Sequence, residues 1–212
     1  MAKSVTFIDT EVGVDDHKIH DIGAIRQDRA SFHAANIHEF AAFVEGTEYI
    51  CGHNILHHDL KYLQNALGYE LPAIKIDTLY LSPLLFPKRP YHALLKDDKL
   101  QSDQLNDPVN DCKKAATLFY DEVNAFFELP SKVKQIFCCL LYDHPEFHGF
   151  FRYINFRPYH VNVPELIRAE YEGQICSNAE LLPLIRHYPV ELAYALALVG
   201  AKDEHSITPP WL

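Results

Sequence analysis

Several things are missing from this sequence, and each absence removes a class of protein. No apolar run approaches the roughly 18 residues that a membrane-spanning helix needs, so no membrane partner is expected. The opening Met1-Ala2-Lys3-Ser4-Val5 passes straight into a strand-like run and lacks signal-peptide architecture. The five cysteines, Cys51, Cys112, Cys138, Cys139 and Cys176, form neither a CxxC pair nor an even framework. They read as reduced thiols, and the expected compartment is the cytoplasm. Internal repeats and low-complexity tracts are also absent. A basic balance is missing as well: 19 Lys and Arg against 29 Asp and Glu leave a net charge of −10. That argues against a broad basic surface for duplex nucleic acid. It does not remove nucleic acid as a substrate, because a site for divalent cations must itself be rich in carboxylates, and a single strand end can be gripped locally.

What is present is enough for a core. The 212 residues are 48% hydrophobic, which suits one domain plus an extension. Ser4 to Ile8 is short, apolar and β-prone and runs into Asp9, the pattern of a buried strand with a carboxylate at its end. Asp21 to Arg26 and Ser31 to His33 read as two further strands of a meander around a Gln27-Asp28-Arg29 turn. Asn36 is placed to cap a helix reaching about Val44. Glu48 to Gly52 is a strand, His57 to Leu67 a helix stopped by Gly68, and Lys75 to Leu79 another strand. Ser82 to Asp107, rich in Pro, Lys and Asp, reads as a long irregular connection. Pro108 then opens a long helix to about Phe127, with Val109, Cys112, Ala116, Phe119, Val123 and Phe126 at helical spacing.

Beyond Leu129-Pro130 the pattern turns to short helices, over 132–141, 145–153, 163–171, 178–187 and 190–199, punctuated by prolines. A boundary near 130 divides an α/β core, 1–129, from a helical extension, 130–212. The chain closes on the apolar run Ile207 to Leu212 and reads as interrupted, so a longer protein carrying further modules is expected. The element order implies a mixed sheet flanked by helices, with strand ends and helix starts meeting at one edge.

Three acidic segments carry chemistry. In Phe7-Ile8-Asp9-Thr10-Glu11, the two acids are two residues apart and share one face of a strand. Side by side they repel unless a cation lies between them. In Gly52-His53-Asn54-Ile55-Leu56-His57-His58-Asp59-Leu60, a strand ends, a turn follows, and Asp59 falls in the first turn of a helix, where the helix dipole favours it. His53 and His57 have a zinc-like spacing without evident further ligands. In Asn106-Asp107-Pro108-Val109-Asn110-Asp111, the last acid lies one turn into the long helix. Taken singly, each segment reads as solvated strand end or helix-start acid.

Taken together and in this order, they resemble the three exonuclease motifs of the DEDD (DnaQ-like) superfamily, closest to its DEDDh branch. Phe-Ile-Asp-Thr-Glu is similar to the first motif, Gly-His-Asn followed by His-Asp-Leu to the second, and the helix bearing Asp111-Cys112-Lys113-Lys114-Ala115 to the third. The strand Ile76-Asp77-Thr78-Leu79 resembles one that follows the second motif. The resemblance covers about residues 4–128 and implies an RNase H-like fold. It further implies that Asp9, Glu11, Asp59 and Asp111 hold two Mg²⁺ or Mn²⁺ ions for 3′–5′ release of nucleoside monophosphates, with single-stranded DNA preferred and DNA repair or replication modules as partners. Thr10 and Val12 would lie close to the terminal nucleotide, and Asn54 would order the second-motif turn. The sequence departs from the family at one place. Asn106 stands where that branch has a histidine base, and an amide cannot take a proton near neutral pH; the tyrosine of the sister branch is replaced by Asp107. His92, whose HxALxD spacing to Asp97 offers a rival third motif, is the alternative base. Lys88, Arg89, Lys96 and Lys99 around Tyr91, with Lys113 and Lys114, could grip a strand end. Two rival expectations stand beside the nuclease: a nucleic-acid-binding module that has lost its base, and a scaffold whose acids are merely solvated.

Overall fold

In the computed structural model, the residues described are 3–89, 92, 94 and 107–201. Five strands form one sheet: β1 (Val5–Val12), β2 (Ile19–Arg26), β3 (Ser31–His33), β4 (Tyr49–Gly52) and β5 (Ile74–Asp77), in the order β3-β2-β1-β4-β5. The β1–β2 and β2–β3 pairings are antiparallel and β1–β4 and β4–β5 parallel, so the sheet is mixed. In register, Asp9 lies opposite Gly23, and Phe7 opposite both Ile25 and Cys51.

The side-chain period of two divides the sheet into two apolar faces. Ile8, Ile22, Ala24 and Ile50 pack beneath α1 (Ile37–Val44) and α2 (Asp59–Leu67), through Phe40, Val44 and Leu63. Both helices have the ends their sequences call for. The Asn36 carboxamide accepts from the His38 and Glu39 amides, and Gly68 closes α2 in the left-handed conformation at φ 77°.

Val5, Phe7, Tyr49, Cys51 and Ile76 form the opposite face. α4 (Pro108–Glu128) and α6 (Pro145–Tyr153) lie directly on it, and α3 (Thr78–Leu85), α5 (Ser131–Leu141), α7 (Val163–Glu170), α8 (Leu181–His187) and α9 (Pro189–Gly200) complete the same apolar core around them. Phe126 anchors the far end of α4, edge-on to Phe150, Phe151 and Phe156 at centroid separations of 5.6, 5.8 and 5.2 Å. Burying such a ring contributes about 1.5–3 kcal/mol, and each edge-to-face pair about 0.5–1.5 kcal/mol more.

Three expectations need correction. The strand expected to reach Leu79 ends at Asp77, and Ser82 does not begin an irregular connection, because α3 runs to Leu85. Asp77 turns strand into helix: its carboxylate accepts from the Leu79 amide at 3.0 Å, and Leu81, Leu84 and Leu85 are buried beyond it. Pro83 lies inside this helix and does not end it. The helix expected from Asn178 begins at Leu181.

The link between α4 and α5 is short, and residues on both sides of it enter one apolar core. A Cβ on Gly149 of α6 would lie 1.9 Å from the Lys75 carbonyl oxygen of β5, so α6 sits directly on the sheet. Among the described residues no helix is long and apolar enough to cross a membrane.

Candidate functional site

Asp9 and Glu11 project from the β1 face that looks toward α4. What brings α4 close is a missing side chain. A Cβ on Gly23 would meet the Pro108 carbonyl carbon at 2.4 Å and the Val109 nitrogen at 2.6 Å, so the first turn of α4 rests on bare β2 backbone. The Asp107 carboxylate caps that turn by accepting from the Val109 amide at 2.9 Å, and Pro108, which needs no partner for a missing N–H, takes the first helical position. Asp111 follows one turn on. One carboxylate oxygen from each of Asp9, Glu11 and Asp111 lies within 4.8 Å of the others, and all three residues are half-buried.

Three like charges this close raise each other's energy unless a cation intervenes. Lys114, three residues along α4, places its Nζ 3.3 Å from Asp111 Oδ1. The β1–β2 register shifts between Glu11 and Val12, a bulge that bends the strand just after the second acid. Asp21, opposite Glu11, turns to His33, whose Nε2 lies 2.7 Å from Asp21 Oδ2.

Asp59 stands outside this group of three. It is 2% exposed, and its Oδ1 accepts from both the Thr10 amide and the Thr10 hydroxyl, each at 2.7 Å. The start of α2 is thereby tied to β1 at the residue between Asp9 and Glu11. The Thr10 hydroxyl is committed to this bond. Asp59 Oδ2 lies 3.6 Å from His58 Nδ1, and that interaction first, with the charges of Asp59, Asp9 and Glu11 adding, raises the His58 pKa against the effect of burial. Val12, half-buried, follows the bulge at the end of β1.

The second-motif turn is held by a residue given no role in the sequence reading. Asp77 is fully buried and accepts from the backbone amides of Asn54 (2.7 Å), Leu56 (3.0 Å) and Leu79 (3.0 Å). Burial raises its pKa, although the three amides pull the other way. Asn54 takes the left-handed conformation, φ 63°, that lets the turn close, a region asparagine tolerates better than most residues. His53 Nδ1 lies 2.9 Å from Thr78 Oγ1, which donates to the Gly52 carbonyl at 3.2 Å. The threonine hydroxyl proton is thus spent, so Nδ1–H is the donor and Nε2 carries the lone pair. Nε2 is buried without a hydrogen-bond partner among the described residues, and burial holds the ring's pKa down at about 4. His57 is exposed and packs against Tyr80, with ring centroids 5.9 Å apart.

His92 Nδ1 lies 3.0 Å from the hydroxyl of buried Ser82. Burial lowers the His92 pKa, and the charge of Arg89 adds to the shift. Asn106, Asp97, Tyr91, Lys96 and Lys99 lie outside the described residues. Lys113 is exposed and donates to Asn110 Oδ1 at 3.2 Å.

Gly23, Asp77 and Ser82 are the positions that sequence reasoning passed over. A glycine inside a strand signals close backbone approach, and Asp-Thr directly after a strand is a helix-cap signature; these two signals were available. A fourth, Glu122 of α4, gave none. It is fully buried, neither carboxyl oxygen has a hydrogen-bond partner among the described residues, and burial, with the Asp77 charge adding, pushes its pKa well up.

No family model, no curated protein and no solved structure matches this chain.

Proposed function

We propose that this chain is a metal-dependent 3′–5′ exonuclease on an RNase H-like core, releasing nucleoside monophosphates from a nucleic acid 3′ end, single-stranded DNA foremost. The observation that carries the reading is the convergence of Asp111 on the Asp9–Glu11 pair, far from it in sequence, to within 4.8 Å. Such a set fits hard divalent cations, Mg²⁺ or Mn²⁺, which take several carboxylate oxygens at short range. When bound, a pair of such ions supplies an activated water and stabilises the departing 3′ oxygen. The 3′ polarity and the preference for DNA rest on the motif resemblance.

In this reading Asp9, Glu11 and Asp111 present the oxygens that hold the ions. Asp59 is the fourth acid, and it fixes β1 between the first two by gripping Thr10. His92 is the base. Its Nδ1 lies 3.0 Å from the Ser82 hydroxyl, and in the tautomer that donates Nδ1–H to that oxygen, Nε2 takes a proton from the attacking water. Val12, at the bulge, lines the place of the terminal nucleotide. Lys113 and Lys114, on the helix that carries Asp111, supply positive charge for the strand end.

A second reading is favoured by Asn106 at the family's base position: a module that binds nucleic acid without cutting it. Both readings meet one experiment, a 5′-labelled single-stranded oligonucleotide incubated with Mn²⁺. A ladder shortening from the 3′ end, lost in Asp9→Ala, supports the exonuclease. Binding without shortening favours the binding module. Calorimetry showing no Mn²⁺ uptake dependent on Asp9 would remove the metal site itself.

A further inference from the structure

A second site lies between α3 and the helices after residue 130, and none of Asp9, Glu11 and Asp111 lines it. A cavity of about 510 Å³ opens where the end of α3 and its following turn meet α5, α7 and α9. Its wall is made by Leu84, Leu85, Val133, Phe137, Leu196 and Ala197, aliphatic or aromatic without exception and each under 10% exposed. Volumes of roughly 300–1,000 Å³ with apolar walls and a few polar groups at one end are typical of small-molecule sites.

The charges sit at the rim. Arg89 is exposed, and its guanidinium stacks 4.0 Å from the Phe86 ring centroid, so the cation is held beside the mouth. Lys88 adjoins it on the same rim. Glu170 is the opposing rim charge, and it is engaged with Lys132, whose Nζ lies 3.8 Å from Glu170 Oε2. The mouth is therefore cationic on the side of the α3 turn, while the wall is mostly apolar, with Tyr171 and Gln174 its polar members besides the rim charges.

We propose that this cavity binds an anionic amphiphile, an alkyl chain ending in a carboxylate, with the chain among Leu84, Phe137 and Leu196 and the head group at Arg89. The proposal does not depend on the exonuclease reading.

The test is calorimetric titration of the whole chain with dodecanoate below its micelle concentration, beside dodecyltrimethylammonium of the same chain length. Saturable one-to-one binding of dodecanoate is expected, with the cationic amphiphile and the Arg89→Glu variant each at least about ten-fold weaker. Ala197→Phe, which fills the cavity, should abolish binding; should that variant not fold, the surface change Arg89→Glu still decides. Absence of dodecanoate binding, equal binding of both amphiphiles, or binding that survives in a folded Ala197→Phe chain would each overturn the proposal.

Discussion

Gly23 of β2 and Pro108 of α4 meet backbone to backbone, with no room for a methyl group between them. The contact sets how near Asp111 comes to Asp9, which pairs with Gly23 across the strands. Gly23→Ala is therefore expected to act on the site without touching an acid. The new methyl strikes main chain and not the yielding end of a side chain, so a loss of about 1–3 kcal/mol is expected in chemical denaturation. Mn²⁺ affinity should fall in parallel. A variant of unchanged stability and metal affinity would show that α4 is seated by other contacts.

Asp59 and Asp9 should behave differently when replaced. Asp59→Ala leaves the Thr10 amide and hydroxyl without their buried acceptor, a loss of about 1–3 kcal/mol whether or not metal is present. Asp59→Asn, which keeps an oxygen at that place, should recover part of it. Asp9→Ala should show its main effect on Mn²⁺ uptake. Thermal unfolding with and without Mn²⁺ compares the three, and equal metal dependence in Asp59→Ala and Asp9→Ala would assign Asp59 directly to the ions.

Glu122 makes stability depend on pH. Below about 4.5, its ordinary value, the acid is protonated folded and unfolded alike. Above that, the unfolded chain releases the proton while the buried group, its pKa well raised, retains it, so stability falls as pH rises. Glu122→Gln removes this dependence. The variant should match the parent near pH 4.5 and exceed it by up to about 3 kcal/mol at pH 7. A constant difference between the two across that window would mean that Glu122 ionises in place.

His92→Ala is expected to slow oligonucleotide shortening by about 10²–10⁴-fold while leaving Mn²⁺ binding intact. Because burial lowers the His92 pKa from 6.5, the acidic limb of the parent's rate profile should lie below 6.5. An unaltered rate in His92→Ala would exonerate this histidine and return attention to the metals alone.

Local rules carried much of the fold. The period-two run through Asp9 and Glu11, the Asn36 cap, the Gly68 stop and Pro108 at a helix start are short-range signals, and each element lies where they point. The third helix escaped because Pro83 reads as a breaker, while its stabilising parts are a cap from the preceding strand and leucines buried by helices far along the chain. In the site, the acids were legible as residue types at spacings. Their partners were not. That Asp59 would grip Thr10, or that Asp77 would collect three amides from two segments, depends on how strands and helices lie in space, and a linear pattern does not encode it. Glu122 sat on the apolar stripe of an amphipathic helix as an exception that spacing alone could not explain.

The seating of Gly149 on Lys75 bears on any attempt to divide the chain. A piece cut at the Leu129–Pro130 link would bare Tyr49 and Ile76, and with them the outer strand that α6 now shields. Such a fragment would carry every acid of the site and still be a poor reagent, since its uncovered flank would seek the same flank on its neighbours and drive it out of solution.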